Sequence, residues 1–125
     1  MTAVAPMVLV VDDEEDLREA IRRMLERRGF ATLTAADPAE AEAVCRDHGG
    51  TIDLLLTDLT LPGSSGGELA RVATSMRPEL RVLFVSGLPK EIAVGRGLVT
   101  EEAEMVQKPF TSDRLAEAVR SALAG

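Results

Sequence analysis

Five side chains in this 125-residue chain could act together: Asp12, Asp13, Asp58, Ser86 and Lys108. Each stands just after a short apolar run, where a strand would end: Asp12 and Asp13 after Met7–Val11, Asp58 after IDLLLT, Ser86 after Arg81–Val85, and Lys108 after a run around Glu104 to Gln107. If those ends lie side by side, the pocket holds three carboxylates. Two like charges at about 4 Å repel by roughly 4 kcal/mol at an effective dielectric near 20, so either protons stay on or a cation sits among them. An oxygen-only site with few carboxylates suits Mg²⁺, which keeps several waters and completes its shell with phosphate oxygens. A carboxylate such as Asp58 can attack phosphorus and form an acyl phosphate. Phosphoryl transfer asks the protein mainly for positioning and charge neutralisation. Mg²⁺ and the Lys108 ammonium would neutralise the phosphoryl oxygens, and the Ser86 hydroxyl could donate a hydrogen bond to one of them.

These residues need a scaffold that gathers strand ends. Met7–Val11 (MVLVV), Ile52 to Leu56 (IDLLL) and Arg81–Val85 read as strands buried on both faces, and Ala31–Ala35 (ATLTA) as one nearer a sheet edge. A fifth short strand spans Glu104 to Gln107. Helical stripes lie between them. Leu17, Ile21, Met24, Leu25 and Arg28 form the first, stopped by Gly29. Ala41, Val44 and Cys45 form the second, entered through the cap Asp37 and Pro38. Leu69, Val72, Ala73 and Met76 form the third, and Leu115, Val119, Ala122 and Leu123 the last, capped within Thr111 to Asp113. Gly95 and Gly97 cost about 1 kcal/mol each against helix, so the fourth helix should be short or irregular. Strands alternating with helices predict a parallel α/β sheet covered on both faces, and ligand chemistry gathers outside the carboxyl ends of such strands.

At VLVVDDEEDLR, LLLTDLTLPGSSGGELA, VLFVSG and QKPF the chain resembles the receiver domain of two-component response regulators, over about Val8 to Leu123. Around Asp58, Ser86 and Lys108 it is most similar to receivers of hybrid sensor histidine kinases. The resemblance implies a flavodoxin-like (βα)5 fold: a doubly wound, five-stranded parallel sheet of order 2-1-3-4-5 in a single domain, 1–125, with a core of about 7–124. It implies Asp58 as phosphoacceptor, and Asp13, Asp58 and the Thr60 backbone carbonyl as Mg²⁺ ligands, with Asp12 holding the metal through water. It assigns Ser86 and Lys108 to the phosphoryl group and predicts a cis Lys108–Pro109 bond. The implied donor is a histidine kinase or histidine phosphotransfer domain. The implied output is a changed surface around helix 4, strand 5 and helix 5 that alters binding of a downstream protein. Such a module is not an enzyme beyond its own phosphorylation and dephosphorylation. Two positions depart from the common pattern. Met105 stands where many receivers carry an aromatic, three residues before the lysine. Leu88 stands where a side chain often orients water, which predicts slow self-dephosphorylation.

Composition narrows the field. With 46% hydrophobic and 28% charged residues the chain is globular, and a net charge of −7 disfavours direct nucleic-acid binding. The lone cysteine, Cys45, excludes an intramolecular disulfide and reads as a small buried hydrophobe. No apolar run is long enough for membrane insertion and no signal peptide is visible, so a cytoplasmic location is expected. Glu14 to Asp16 read as a solvated helix start, His48 as a surface residue at a helix end, and Gly63 to Gly67 as turn geometry without Walker spacing. Three rival functions would make different demands on the sequence. A haloacid-dehalogenase-like phosphatase would carry nucleophile and acid on one Asp-x-Asp loop. A flavodoxin-like cofactor binder would need a Ser/Thr/Gly-rich phosphate loop, where this chain has Asp12-Asp13-Glu14-Glu15. A pseudo-receiver would bind partners without being phosphorylated.

Overall fold

The computed structural model describes residues 4–125. Apolar, β-branched segments form β1 (Met7–Val11), β2 (Ala31–Ala35), β3 (Leu54–Asp58), β6 (Arg81–Ser86) and β7 (Glu104–Gln107). They build one five-stranded sheet of order β2-β1-β3-β6-β7 in which every pairing is parallel. Counting only these strands, that is the expected 2-1-3-4-5. ATLTA is an edge strand, as its weaker apolar pattern implied. Two two-residue strands, β4 (Thr60–Leu61) and β5 (Ser64–Ser65), pair antiparallel in the turn after β3 and were not anticipated. Gly63, at φ +72°, lets that turn close.

Four helices cross over between the strands, α1 (Glu15–Arg27), α2 (Pro38–Asp47), α3 (Gly66–Met76) and α4 (Lys90–Gly95), and α5 (Ser112–Ala124) follows the last strand. Their ends follow local chemistry. Asp37 accepts from the Glu40 N–H at the start of α2, Ser65 from Glu68 at α3, and Thr111 from Arg114 at α5. Gly29, at φ +91°, turns the chain out of α1. As the glycines predicted, α4 has only six residues. The Lys108–Pro109 bond is cis.

The sheet separates two cores. On one face Ile21 and Leu25 of α1 and Leu115 and Val119 of α5 pack on Val8, Val10, Leu54, Leu56, Leu83 and Val85. On the other, Ala41 and Cys45 of α2, Leu69 and Ala73 of α3, and Ala93 of α4 pack on Leu9, Val11, Leu55 and Phe84. The helices therefore cover both faces.

Two expectations are corrected. The third strand starts at Leu54, not Ile52, and runs on to Asp58, because Asp58 lies in register with Val85 of β6. The Asp53 carboxylate accepts the Met7 N–H at 2.7 Å before the strand begins. Met76 is 40% exposed, and Ala70 takes the buried place on α3 instead.

Arg77 fastens this layer. Its guanidinium donates to the carbonyls of Cys45 (2.8 Å), Gly50 (2.9 Å) and His48 (2.6 Å), closing the C-terminal end of α2 with charge-assisted bonds. Arg77→Ala is expected to lower unfolding free energy by about 1.5–3 kcal/mol in urea titrations. The exposed Arg71, whose side chain pairs with Glu68 alone among the described residues, should cost less than about 1 kcal/mol when replaced by Ala.

Candidate functional site

β1, β3, β6 and β7 all end at one edge of the sheet, and the side chains there follow from that register. Asp58 is the last residue of β3, the central strand of the five. Its Oδ2 accepts from Lys108 Nζ at 2.8 Å and its Oδ1 from the Thr60 N–H at 2.9 Å, so both oxygens are oriented. Lys108 follows β7; its own N–H donates to the Ser86 carbonyl at 2.8 Å, which fixes where its ammonium can reach.

Asp12 and Asp13 follow β1. Asp12 is only 2% exposed, and its Oδ1 accepts the Glu14 N–H at 2.8 Å, a turn that leads into α1. Its N–H donates to the Ala35 carbonyl at 3.2 Å, and its own carbonyl accepts from Arg18 Nη1 at 2.8 Å. Asp13 is exposed. Ligand oxygens of Asp12, Asp13 and Asp58 lie within 4.8 Å of one another.

The electrostatics follow from this crowding. Burial pushes the Asp12 carboxyl above its usual range; the Glu14 N–H and the Lys108 charge pull it down, while Asp58 and Asp13 add to the rise. Burial works against the Lys108 ammonium, but the hydrogen bond and charge of Asp58, with Asp12 3.9 Å away, outweigh it and hold the lysine above its usual range. The Lys108 ammonium lies against two of the three clustered carboxylates, Asp12 and Asp58, and the cluster offers oxygen ligands alone. That donor set fits a hard divalent cation.

Ser86 is buried at the same edge, and its Oγ accepts the Leu88 N–H at 3.0 Å. Among the described residues its hydroxyl makes no hydrogen bond to the side chain of Asp58 or Lys108. Thr60 is exposed and touches Asp58 through its N–H. Met105 lies opposite Phe84 in the sheet and packs, half-buried, against the core on the α2–α3 face. Cys45 is buried in that core, and burial raises its thiol above the usual range. His48 is half-buried at the α2 C-terminus.

Two residues at the site carried no functional expectation. Gly66, the first residue of α3, donates to the Leu59 carbonyl at 2.7 Å, and a Cβ there would lie 2.3 Å from the Asp58 carbonyl oxygen. The glycine pair was visible, but its partner was not. Arg18 is one of several arginines on α1, and nothing in sequence separates it from them.

Fold and site together define a doubly wound α/β domain that gathers acids and a lysine at the carboxyl edge of its sheet. The chain belongs to the response regulator receiver domain family, whose family model matches residues 8–120. It is 31% identical over 96% of its length to the C4-dicarboxylate transport transcriptional regulatory protein DctD of Rhizobium meliloti (strain 1021), covering 26% of that protein. It is 32% identical over 93% of its length to Sensor kinase CckA of Brucella abortus (strain 2308), covering 12% of it. The chain thus spans about a quarter or less of these two relatives. A response regulator receiver protein from Sinorhizobium medicae WSM419 superimposes with a TM-score of 0.82 at 28% identity, covering 97% of this chain and 96% of that one. Among the described residues no helix is long and apolar enough to cross a membrane.

Proposed function

We propose that this receiver domain takes a phosphoryl group onto Asp58 from a phosphohistidine of a histidine kinase or histidine phosphotransfer domain. The bond formed joins an Asp58 oxygen to phosphorus. The bond broken is the donor's N–P bond, whose electron pair returns to the imidazole nitrogen. The observation that carries this reading is the Asp58 carboxylate at the end of the central strand, held by Lys108 at 2.8 Å with Asp12 and Asp13 oxygens within 4.8 Å. Asp13, Asp58 and the Thr60 carbonyl would hold Mg²⁺, with Asp12 behind a water. When bound, the ion neutralises charge on the transferring phosphoryl group. Lys108 keeps one Asp58 oxygen oriented and supplies the remaining positive charge. Ser86 already accepts from the Leu88 N–H and retains its hydroxyl proton to donate to a phosphoryl oxygen. The outcome is a changed surface around α4, β7 and α5 that alters binding of a downstream protein.

Intact mass after incubation with acetyl phosphate tests the reading. A single added phosphoryl group that requires Mg²⁺ supports it, and no added mass with either acetyl phosphate or a phosphorylated histidine donor overturns it. Leu88 offers no polar side-chain group to orient a water, so the phosphorylated form should outlast seconds by a wide margin without a phosphatase. A time course of the same mass checks this.

Mg²⁺ should also stabilise the unphosphorylated protein. At ten times its Kd the expected gain is about 1.4 kcal/mol, read as a rise in Tm. Asp12→Asn keeps an oxygen for the Glu14 N–H but removes a buried charge that Asp58 and Asp13 oppose. Its Tm in chelator should therefore exceed that of the wild type, while its rise with Mg²⁺ should be smaller.

A further inference from the structure

We propose that Arg18 is a positioning residue for the divalent cation, acting through the peptide that joins Asp12 to Asp13; this rests on the Mg²⁺ reading above. Arg18 Nη1 donates to the Asp12 carbonyl at 2.8 Å, reaching back over the first turn of α1. The other α1 arginines with described ion pairs behave differently: Arg22 holds Glu19 and Glu26, and Arg23 holds Glu19. Among the described residues Arg18 forms no salt bridge, and its recorded bond is to a main-chain oxygen.

That oxygen matters because of what it orients. The Asp12 carbonyl belongs to the peptide plane from which Asp13 departs. Asp12 is fixed independently, through its N–H on Ala35 and its Oδ1 on the Glu14 N–H. Asp13 is exposed, and no side-chain hydrogen bond to it is found among the described residues. Its direction therefore follows its backbone, which the Asp12 side chain holds at the Glu14 N–H and Arg18 holds at the Asp12 carbonyl. Without Arg18 the peptide can rotate, and mutual repulsion of the acids favours rotation that spreads them. Mg²⁺ demands near-octahedral oxygen geometry and tolerates such spreading poorly.

A bare charge effect would act differently. Arg18 would then help only by offsetting negative potential, and salt would screen that help. A hydrogen bond to the Asp12 carbonyl persists at high salt and needs a donor of similar reach, which lysine supplies.

The test is Mg²⁺ titration of the whole chain by calorimetry, at low and high NaCl, for wild type, Asp13→Asn, Arg18→Ala and Arg18→Lys. Circular dichroism in chelator reports the folded fraction of each. Arg18→Ala should bind Mg²⁺ about tenfold or more weakly at both salt concentrations, the usual scale for losing an outer support of a metal ligand. Arg18→Lys should recover most of the affinity, and it keeps the comparison open if the alanine variant unfolds, since a lysine variant far weaker than wild type then overturns the proposal. Folded Arg18→Ala with wild-type affinity, or a deficit that vanishes in high salt, also overturns it and leaves the Mg²⁺ reading standing. Wild type that binds no Mg²⁺, like Asp13→Asn, defeats the Mg²⁺ reading itself.

Discussion

Asp58→Asn is expected to give a folded protein that acquires no phosphoryl group from acetyl phosphate or from a phosphorylated histidine donor. The substitution keeps the size of the side chain and an oxygen that can accept the Thr60 N–H, now at 2.9 Å from Asp58 Oδ1. What it removes is the anionic oxygen, and a neutral amide does not attack phosphorus at a useful rate. On the other side an amide NH₂ would face the Lys108 ammonium, donor against donor, where a charge-assisted bond of 2.8 Å now stands. Losing a bond of that kind costs about 1.5–3 kcal/mol. Removing one of three crowded carboxylates offsets part of that cost. Circular dichroism should therefore report a native fold, and mass spectrometry an unmodified chain. A phosphoryl group on the variant would place the acceptor at another residue and would falsify the assignment.

Gly66→Ala should be the most damaging single methyl group at this edge of the molecule. The added Cβ would lie 2.3 Å from the Asp58 carbonyl oxygen, 3.0 Å from Leu59 Cα and 3.1 Å from the Asp58 carbonyl carbon. All three are backbone atoms, so no side chain can swing aside. Either α3 retreats from the end of β3, losing the 2.7 Å bond from Gly66 N–H to the Leu59 carbonyl, or the Asp58 segment itself shifts. Overpacking of this kind costs about 1–3 kcal/mol, and the lost buried bond adds about another 1 kcal/mol. Urea unfolding should show a loss of about 2–4 kcal/mol from these contributions. Phosphorylation should fall further than the folded fraction does, because the displaced atoms are those next to the acceptor. Gly63→Ala is the control: that glycine has φ +72° but open space around its Cβ position, so the cost is conformational, about 1–2 kcal/mol.

Much of this architecture was legible in the sequence because it is written locally. A β-branched run such as Met7–Val11 needs burial on both faces, and only a central parallel strand provides it. Caps at Asp37 and Thr111 and the stop at Gly29 marked helix ends directly. The start of β3 was misplaced because Ile52 is as apolar as a strand residue, while pairing depends on a partner strand distant in sequence. Met76 fitted the helical stripe of α3, yet it stands at the last residue of the helix, where the sheet no longer covers it. The acids and lysine of the site could be proposed from their places at strand ends. Gly66 and Arg18 could not, since each meets main-chain oxygens: Gly66 donates to the Leu59 carbonyl and lies against that of Asp58, and Arg18 donates to that of Asp12. Backbone partners leave no trace in residue type.

The unequal make-up of the two cores bears on how this chain can change over generations. The helices of the α2, α3 and α4 face bury mostly small groups, Ala41, Cys45, Ala70, Ala73 and Ala93 beside Leu69, whereas α1 and α5 bury Ile21, Leu25, Leu115 and Val119 beside Ala118 and Ala122. Large aliphatic side chains can exchange for one another at nearly constant volume, but every replacement of an alanine seated against a sheet, glycine excepted, adds volume. Drift is therefore cheaper under α1 and α5, and a homologue that enlarges Ala41 or Ala73 must shrink a neighbour in the same step.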